Sequence, residues 1–245
     1  MRPRHVLAGT LVALVGGAAP GASGAQEPAD DLYRVTMIRA APGEWVAMKA
    51  LIEGQGEAGV TDPSGRTVPY RLRHSQGDHW DFMLIQPIGS ISEHFAPERQ
   101  ALEAPFRDSI AEMADFSEDW IVRGPTHPEL ATLFEGAGLY HLEIFRARAG
   151  LADELVDQRV RENGFLADAG LVTNAVFAGV FGADWDAMTI GFHESWVAFG
   201  EPSALSQEEQ DAVARARCFD GVGGIAPYLR TLLVGHNDTF AVPMN

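Results

Sequence analysis

LYRVTMIRAAPG at residues 32–43 recurs as LYHLEIFRARAG at residues 139–150, 107 positions further along the chain, with five of the twelve residues identical. A second pair, GDHWDFMLI at 77–85 and GADWDAMTI at 182–190, follows in the same order at a spacing of 105 and also shares five residues. Two ordered matches at nearly the same offset indicate that one folding unit is present twice.

Each repeat shows the same succession of strand and helix patterns. Residues 32–39 alternate apolar and polar side chains, which is the period of a strand, and Pro42-Gly43 separates them from a helical pattern at 44–53. Ser90 and Ser206 each precede a glutamate by three residues and fit capping boxes of later helices, the first of which Pro105 should kink or divide. The patterns further predict strands at 68–74, 80–86, 120–122, 139–146, 174–181, 185–193 and 228–235, and a helix at 151–168. The order in each repeat is therefore β-α-β-β-α-β.

This order resembles that of the dimeric α/β-barrel superfamily, as do Tyr33 and Tyr140 on the first strands, the Pro-Gly turn and the aromatic-rich hairpins. In that superfamily, two ferredoxin-like units pair their sheets into one barrel with helices outside. The resemblance covers about residues 32–125 and 138–240. It implies an α+β fold in which two tandem ferredoxin-like units form a pseudo-dimeric α/β barrel with a cavity between the sheets. The superfamily includes cofactor-free monooxygenases, lyases, isomerases and haem proteins, and no motif in this sequence selects among them.

The sequence divides into five predicted segments. Residues 1–25 fit a secretory signal peptide, because a basic start precedes a short apolar stretch and small residues at Ser23 and Ala25. An uncleaved N-terminal anchor is the alternative. The other segments are a polar lead-in (26–31), the first ferredoxin-like repeat (32–125), a linker (126–137) and the second repeat (138–245). We therefore expect a periplasmic or secreted protein.

Composition narrows the range of partners. The formal net charge is −16, and it becomes −18 when Arg2 and Arg4 leave with the signal peptide. Such an acidic surface repels phosphate backbones, so nucleic acid is not expected as a partner. Cys218 is the only cysteine, which excludes an intramolecular disulfide. We expect a soluble protein with no membrane partner after signal cleavage. It would be a monomer or a homodimer, since fusion removes the need for dimerisation to close the barrel.

Alternation on the two first strands singles out candidate catalytic residues. Their polar sides carry Arg34 and Thr36 in the first repeat and His141 and Glu143 in the second, and these sides are expected to face the barrel interior. A polar interior indicates a bound ligand. In an enzyme, His141 would act as a base, Glu143 would orient it and Arg34 would stabilise developing negative charge. The opposite, apolar sides are expected to face the helices and comprise Tyr33, Val35, Met37, Tyr140, Leu142 and Ile144.

Other interpretations of these residues stay open. Arg34 and Glu143 could instead form a salt bridge across the two units of a packed barrel. His193 and His236 end predicted strands, so we expect them at the barrel mouth as ligand-binding residues, together with Thr36 inside. His74, His79 and His94 lack the spacing of a metal motif, and no metal or other cofactor is predicted. A haem or metal protein is a third possibility for the fold. His141 and Glu143 could supply two of the ligands of a metal, whereas the helices of the second repeat offer no axial histidine for haem.

The predicted function is therefore that of an exported soluble protein which binds a small organic molecule in the inter-sheet cavity. Cofactor-free acid/base or oxygenase-type chemistry could take place there. The alternative is a non-catalytic periplasmic binding or interaction protein with a packed barrel. The sequence does not decide whether the protein is an enzyme.

Overall fold

The computed structural model describes residues 30–63, 65–76, 79–182 and 184–244. The predicted signal peptide and residues 26–29 of the lead-in lie outside these ranges. Within them, no helix is both long enough and apolar enough to cross a membrane.

Both halves contain the predicted alternation of strands and helices. The elements of the first half are β1 (Asp31–Ala40), α1 (Trp45–Glu53), β2 (Tyr70–Gln76), β3 (Phe82–Gly89), α2 (Ile91–His94), α3 (Pro97–Met113) and β4 (Ala114–Gly124). The predicted linker contains α4 (His127–Phe134). The elements of the second half are β5 (Leu139–Ala147), α5 (Ala152–Asp168), β6 (Asn174–Phe181), β7 (Ala187–His193), α6 (Trp196–Phe199), α7 (Gln207–Ala216), α8 (Val222–Leu232) and β8 (Leu233–Pro243).

The strands close into one antiparallel barrel in the order β1-β3-β2-β8-β5-β7-β6-β4. The first unit contributes the sheet β4-β1-β3-β2 and the second contributes β8-β5-β7-β6, each in the strand order of a ferredoxin-like unit. Pairing of β2 with β8 and of β4 with β6 joins the two sheets. The predicted pseudo-dimeric α/β barrel of two fused units is confirmed.

The barrel interior is filled by the apolar sides of the strands, so the predicted orientation of the first strands is wrong. Tyr33, Tyr140 and Phe177 belong to one buried cluster to which strands all around the barrel contribute. An eight-stranded barrel is wide enough inside either for side chains to fill it or for one small ligand, and in this protein side chains fill it. The polar sides of β1 and β5 consequently face the helices, and the expected inter-sheet cavity is occupied by the cluster.

Helices cover the outside of each sheet through smaller apolar clusters. In the first unit, Ile38 and Phe82 pack against Met48 and Ile52 of α1 and Ile110 of α3. In the second unit, Phe145 and Ala187 pack against Leu155 of α5 and Leu229 of α8. Polar residues that share these outer sheet faces therefore lie beneath or beside helices.

Local signals in the sequence place the starts of α2 and α7 correctly. Ser90 with Glu93 and Ser206 with Glu209 form complete capping boxes, as predicted. The helix α3 runs from Pro97 through Pro105 to Met113, so Pro105 does not divide it.

The strand predicted at 228–235 is wrong over most of its length, because α8 continues to Leu232 and β8 begins only at Leu233. Ile225, Leu229 and Leu232 are buried at helical spacing on one face of α8. That spacing favours a helix over a strand. The last strand therefore extends to Pro243 and carries residues that the sequence pattern left outside any element.

A buried ionic cluster ties β1 of the first unit to α3. Arg34 is 6% exposed and donates hydrogen bonds to Glu103 at 2.9 Å and to Gln86 at 2.8 Å. Arg99 forms a second ion pair with Glu103, with 2.8 Å between Nε and Oε1. Arg34 thus has its charge partner on a helix of its own unit, and the alternative of an Arg34–Glu143 salt bridge is wrong.

Truncation of the barrel core should destabilise the protein strongly. The Phe177 ring is fully buried beside Gly124 and meets Tyr33 edge to face at 5.7 Å. Phe177→Ala should lower the free energy of unfolding by about 3–5 kcal/mol, because it leaves a cavity in a packed interior. Denaturant titration measures this loss. Val180→Ala on the exposed side of the same strand is the matched control and should change stability by less than about 1 kcal/mol. A similar small loss for both variants would contradict a packed interior.

His94 should make stability depend on pH. It is 3% exposed, and its Nδ1 has no hydrogen-bond partner among the described residues. Burial, followed by the charge of Arg34, lowers the pKa of His94, although Glu103 partly opposes this. The unfolded chain therefore takes up a proton more readily, and stability is lost as the pH falls below about 6.5.

His94→Gln tests this dependence. We expect the free energy of unfolding of the variant to fall less between pH 7.5 and pH 5.5 than that of the unchanged protein. One histidine can contribute at most about 1.4 kcal/mol per pH unit. Ser92→Gln on the exposed side of the same short helix provides the control, since it changes no titratable group and should leave the slope unchanged. An unaltered slope in His94→Gln would rule out His94 as its source.

Candidate functional site

The predicted site residues do not meet at one place. Arg34 and Thr36 lie on β1, and His141 and Glu143 lie on β5, four strands away around the barrel. Both pairs point outward from the interior, so the barrel separates them. Thr36 donates a hydrogen bond to Asp119 on β4. His141, Glu143, His193 and His236 do share one sheet face, and the candidate site is built around these four residues of the second unit.

The two units differ most at one pair of equivalent positions. Arg34 of β1 lies opposite Gln86 of β3, and at the same place in the second unit His141 of β5 lies opposite Gly191 of β7. In the first unit, the Arg34 and Gln86 side chains and Glu103 fill the space between sheet and helix. Gly191 has no side chain, and the side chains of Asn174 and His193 take up the place beside it, with atoms 2.8 and 3.0 Å from where a Cβ would lie.

A cleft of about 400 Å³ lies beside the side chains of Asn174 and His193. Its floor is the outer face of the second sheet, and its walls come from α5, the chain that follows it, and α6. The cleft is lined by His141, Glu143, Glu162, Leu166, Gly170, Leu171, Val172, Asn174, His193, Ala198, Phe199, Glu201 and Pro202. Polar groups, among them Glu143, Glu162 and Glu201, line more of the cleft than apolar side chains do, so it is more polar than the usual small-molecule site.

His141 is held by a carboxylate that the sequence did not single out. Its Nε2 lies 2.7 Å from Oδ1 of Asp238 on the neighbouring strand β8. The prediction that Glu143 orients His141 is wrong in this structure, because Asp238 does so. The imidazole also contacts the rings of Phe199 and Phe240, with centroids 5.2 and 5.0 Å away. The carboxylate and the two rings together fix the orientation of the imidazole.

Glu143 is held from several sides. His236 Nε2 lies 3.2 Å from Oε1, while the Thr189 hydroxyl donates to Oε2 at 3.2 Å and Arg159 lies 3.6 Å from the same oxygen. Burial alone would raise the pKa of Glu143, but the hydrogen bond with His236 and the charge of Arg159 hold it below its ordinary value. Burial instead raises the pKa of Glu162, with Arg159 partly opposing it. Glu143 is therefore the more readily ionised of the two carboxyls.

His193 contributes a second imidazole to the cleft. Its Nδ1 is buried without a hydrogen-bond partner among the described residues, and a Cβ placed on Gly191 would lie 3.0 Å from its Nε2. Burial and the nearby His141 lower the pKa of His193, so its ring is neutral at physiological pH. Asn174 Oδ1 lies 2.8 Å from that Cβ position. Asn174 and His193 thus occupy the place beside Gly191 and line the cleft with hydrogen-bonding groups.

Several residues of the cleft could not be selected from sequence patterns. Asp238 lay beyond the predicted end of the last strand, and Asn174 began a strand without any evident signal. Gly191 could have been found by comparing the repeats, because it stands where the first repeat has Gln86. The helical register of α5 could have indicated Arg159 as a buried charge.

A larger hollow of about 520 Å³ lies at one end of the barrel beside α4. The Tyr70 hydroxyl and His127 Nε2 border it, and both are buried without partners among the described residues. Burial raises the pKa of Tyr70 to about 12, so its hydroxyl is a neutral donor rather than a base. None of the predicted site residues lines this hollow, and the cleft is the better candidate for chemistry.

A haem group does not fit the cleft in the way considered from the sequence. The described helices of the second unit, α5 to α8, contain no histidine, cysteine or methionine. They therefore offer none of the commonest axial ligands for haem iron. His94 is on a helix but belongs to the first unit, where it is buried.

Comparison with known proteins places the fold but no narrower group. No family model matches the sequence, and no curated protein matches it. A candidate monooxygenase from Lactobacillus acidophilus NCFM has a similar structure, with a TM-score of 0.51 and 7% identity over 89% of this chain and 95% of the other. A candidate monooxygenase from Fusobacterium nucleatum has the same TM-score and identity over 89% and 94% of the two chains. An anthrone oxidase-like protein reaches a TM-score of 0.49 at 12% identity over 88% and 92%. Such identities establish a common fold alone, and the chain has the dimeric α/β-barrel fold with both ferredoxin-like units in one polypeptide.

Proposed function

We propose that this protein binds a small, uncharged organic molecule in the cleft of the second unit and that His141 removes a proton from it. The observation that carries the proposal is the cleft of about 400 Å³ beside His141 in the second unit. At the equivalent position of the first unit, Arg34 is hydrogen-bonded to Gln86 and Glu103, so an imidazole beside a cleft is a property of one unit rather than of the fold.

The lining of the cleft indicates the class of ligand. Glu143, Glu162 and Glu201 border it, and these acidic side chains disfavour a ligand that is already anionic when it binds. The imidazolium formed on His141 offsets the negative charge that proton transfer creates on the bound molecule. The ring of Phe199 offers an apolar surface against which a flat molecule can pack. Asn174 and His193 supply hydrogen-bonding groups. A phenol or an enolisable ketone, neutral and with one acidic proton, matches this combination.

The His141–Asp238 pair supplies the base. In the neutral tautomer whose Nε2–H donates to Asp238, the second nitrogen of His141 carries no proton and can take one. The Asp238 carboxylate also stabilises the imidazolium that forms. His193, which is neutral, could hydrogen-bond the oxygen of the resulting phenolate or enolate. No metal or organic cofactor takes part in this step.

Export of the protein remains a proposal that rests on residues 1–25. The basic start, the apolar stretch and the small residues before Gln26 support it. The proposed molecule would then be met outside the cytoplasm. A non-catalytic binding protein is the competing function, and it would use the same cleft without proton transfer.

Gly191→Gln tests the proposal. It places in the second unit the side chain that the first unit has at Gln86, and the atoms that it meets, Asn174 Oδ1 and the His193 ring, belong to ends of side chains that can rotate. We expect the variant to fold and to lose about tenfold or more in affinity for phenols and enolisable ketones, because the added side chain displaces Asn174 and His193, which line the cleft. Thermal-shift screening followed by calorimetry measures this. Gly223→Gln on the exposed side of α8 is the matched control and should bind like the unchanged protein.

His141→Ala separates catalysis from binding. It should abolish solvent-deuterium exchange at the acidic position of a bound ketone while reducing affinity much less than Gly191→Gln. Equal exchange in both His141→Ala and the unchanged protein would leave a binding role and refute the base. Unaltered affinity in Gly191→Gln would refute the cleft itself.

A further inference from the structure

Four metal-ligating side chains meet on β5 and β8 of the second unit. His141 and Glu143 are two residues apart on β5, and His236 and Asp238 are two apart on β8, so all four point to the same face. Glu143 is paired directly with Asp238 in the register of the two strands. Glu143, His236 and Asp238 are called the donor triad below.

The spacing of the donor triad suits one metal ion. One ligand atom from each of the three residues lies within 4.8 Å of the other two, and Glu143 Oε1 is 3.2 Å from His236 Nε2. Bonds of roughly 2.0–2.2 Å to a tetrahedral Zn²⁺ place neighbouring ligand atoms about 3.3 Å apart. Only small side-chain movements are therefore needed to close the triad around an ion.

Surrounding residues hold the donors in place. Thr189 and Arg159 contact Oε2 of Glu143 and leave Oε1 directed at His236. His141 binds one oxygen of Asp238, and the carboxylate has a second oxygen available. The His236 ring stacks on Phe145 with centroids 4.9 Å apart. Such outer contacts orient the ligands of metal sites in general.

The first unit provides an internal comparison. Its strands pair in the same way, with Thr36 opposite Asp119 where the second unit has Glu143 opposite Asp238. Ser117, opposite Ile38, stands where His236 stands opposite Phe145. One carboxylate with two hydroxyls replaces two carboxylates and an imidazole, so the full set of metal donors occurs only in the unit that has the cleft.

We propose that Glu143, His236 and Asp238 bind a divalent first-row transition metal ion, such as Zn²⁺ or Mn²⁺, at the edge of the cleft. Two carboxylates and one imidazole suit ions of borderline hardness. The charges of Glu143 and Asp238 offset that of the ion, and Arg159 lies on the far oxygen of Glu143. Three protein ligands leave at least one coordination position for water. The ion would be a second ligand of the protein, separate from the organic molecule.

Calorimetric titration of the full chain tests the site. After treatment with EDTA and removal of the chelator, the protein should bind one equivalent of ZnCl₂ or MnCl₂ in the absence of any organic ligand. His236→Ala removes one of the three proposed ligands. It should weaken the binding of whichever ion binds more tightly, Zn²⁺ or Mn²⁺, by roughly 100-fold, since the loss of an outer contact alone can cost up to about that much. Asp238→Asn keeps the shape of a half-exposed residue and should weaken it similarly without affecting folding.

Asp119→Asn in the first unit is the matched control and should leave metal affinity unchanged. Absence of stoichiometric binding to both metals would overturn the proposal. Equal affinity in Asp238→Asn and the unchanged protein would also overturn it, because the ion would then sit elsewhere. Since metal binding is measured without the organic ligand, its failure leaves the proposed function of the cleft to be judged by Gly191→Gln.

Discussion

The filling of the eight-stranded barrel by apolar side chains is the constraint on which the rest of the structure depends. A barrel of this size can hold packed side chains or one small ligand, and here it is filled by rings such as Tyr33, Tyr140 and Phe177. Every charged residue of the strands is therefore directed toward the helices or solvent. Arg34 reaches Glu103 of α3, and Glu143 reaches Arg159 of α5. The chemistry of the molecule is consequently found on the outer faces of its sheets.

With the interior filled, the outer sheet faces of the two units are organised in two different ways. In the first unit, Arg34, Gln86 and Glu103 form a closed ionic cluster that links sheet to helix. In the second, Gly191 takes the place of the glutamine, and the neighbouring imidazole of His141 is left beside a cleft. One unit thus shows what the fold does when the position is packed, and the other shows what becomes possible when it is open.

The fold could be predicted from the sequence because its signals are local and occur twice. The strand alternation at 32–39 and 139–146, the capping boxes at Ser90 and Ser206 and the repeat offset together specify two ferredoxin-like units. Which face of each sheet points into the barrel could not be predicted in this way, since alternation shows that a strand has two sides but not which side faces a helix. The salt-bridge partners that decide the matter, Glu103 and Arg159, are distant in sequence.

The candidate site was predictable in part. His141 and Glu143 were recognisable because they diverge from the first repeat on an otherwise matched strand, whereas Arg34 was assigned to them only through a shared interior that is packed. Asp238 lies beyond the last strand that the sequence pattern predicts, because that prediction begins the strand at residue 228 and the structure begins it at Leu233. The helical spacing of Ile225, Leu229 and Leu232 was the signal that would have moved that strand to its true position.

Covalent fusion of the two units has a consequence for how such a protein can change. In a barrel made from two identical chains, a substitution appears in both sheets, so the replacement of a packed side chain by a glycine such as Gly191 would weaken packing twice. In one polypeptide, each sheet can vary independently while β2–β8 and β4–β6 keep the barrel closed. The first unit can then retain a stabilising ionic cluster while the second tolerates an open, polar surface. Asymmetry within a single chain thereby separates the residues that maintain the fold from those that are free to acquire chemistry.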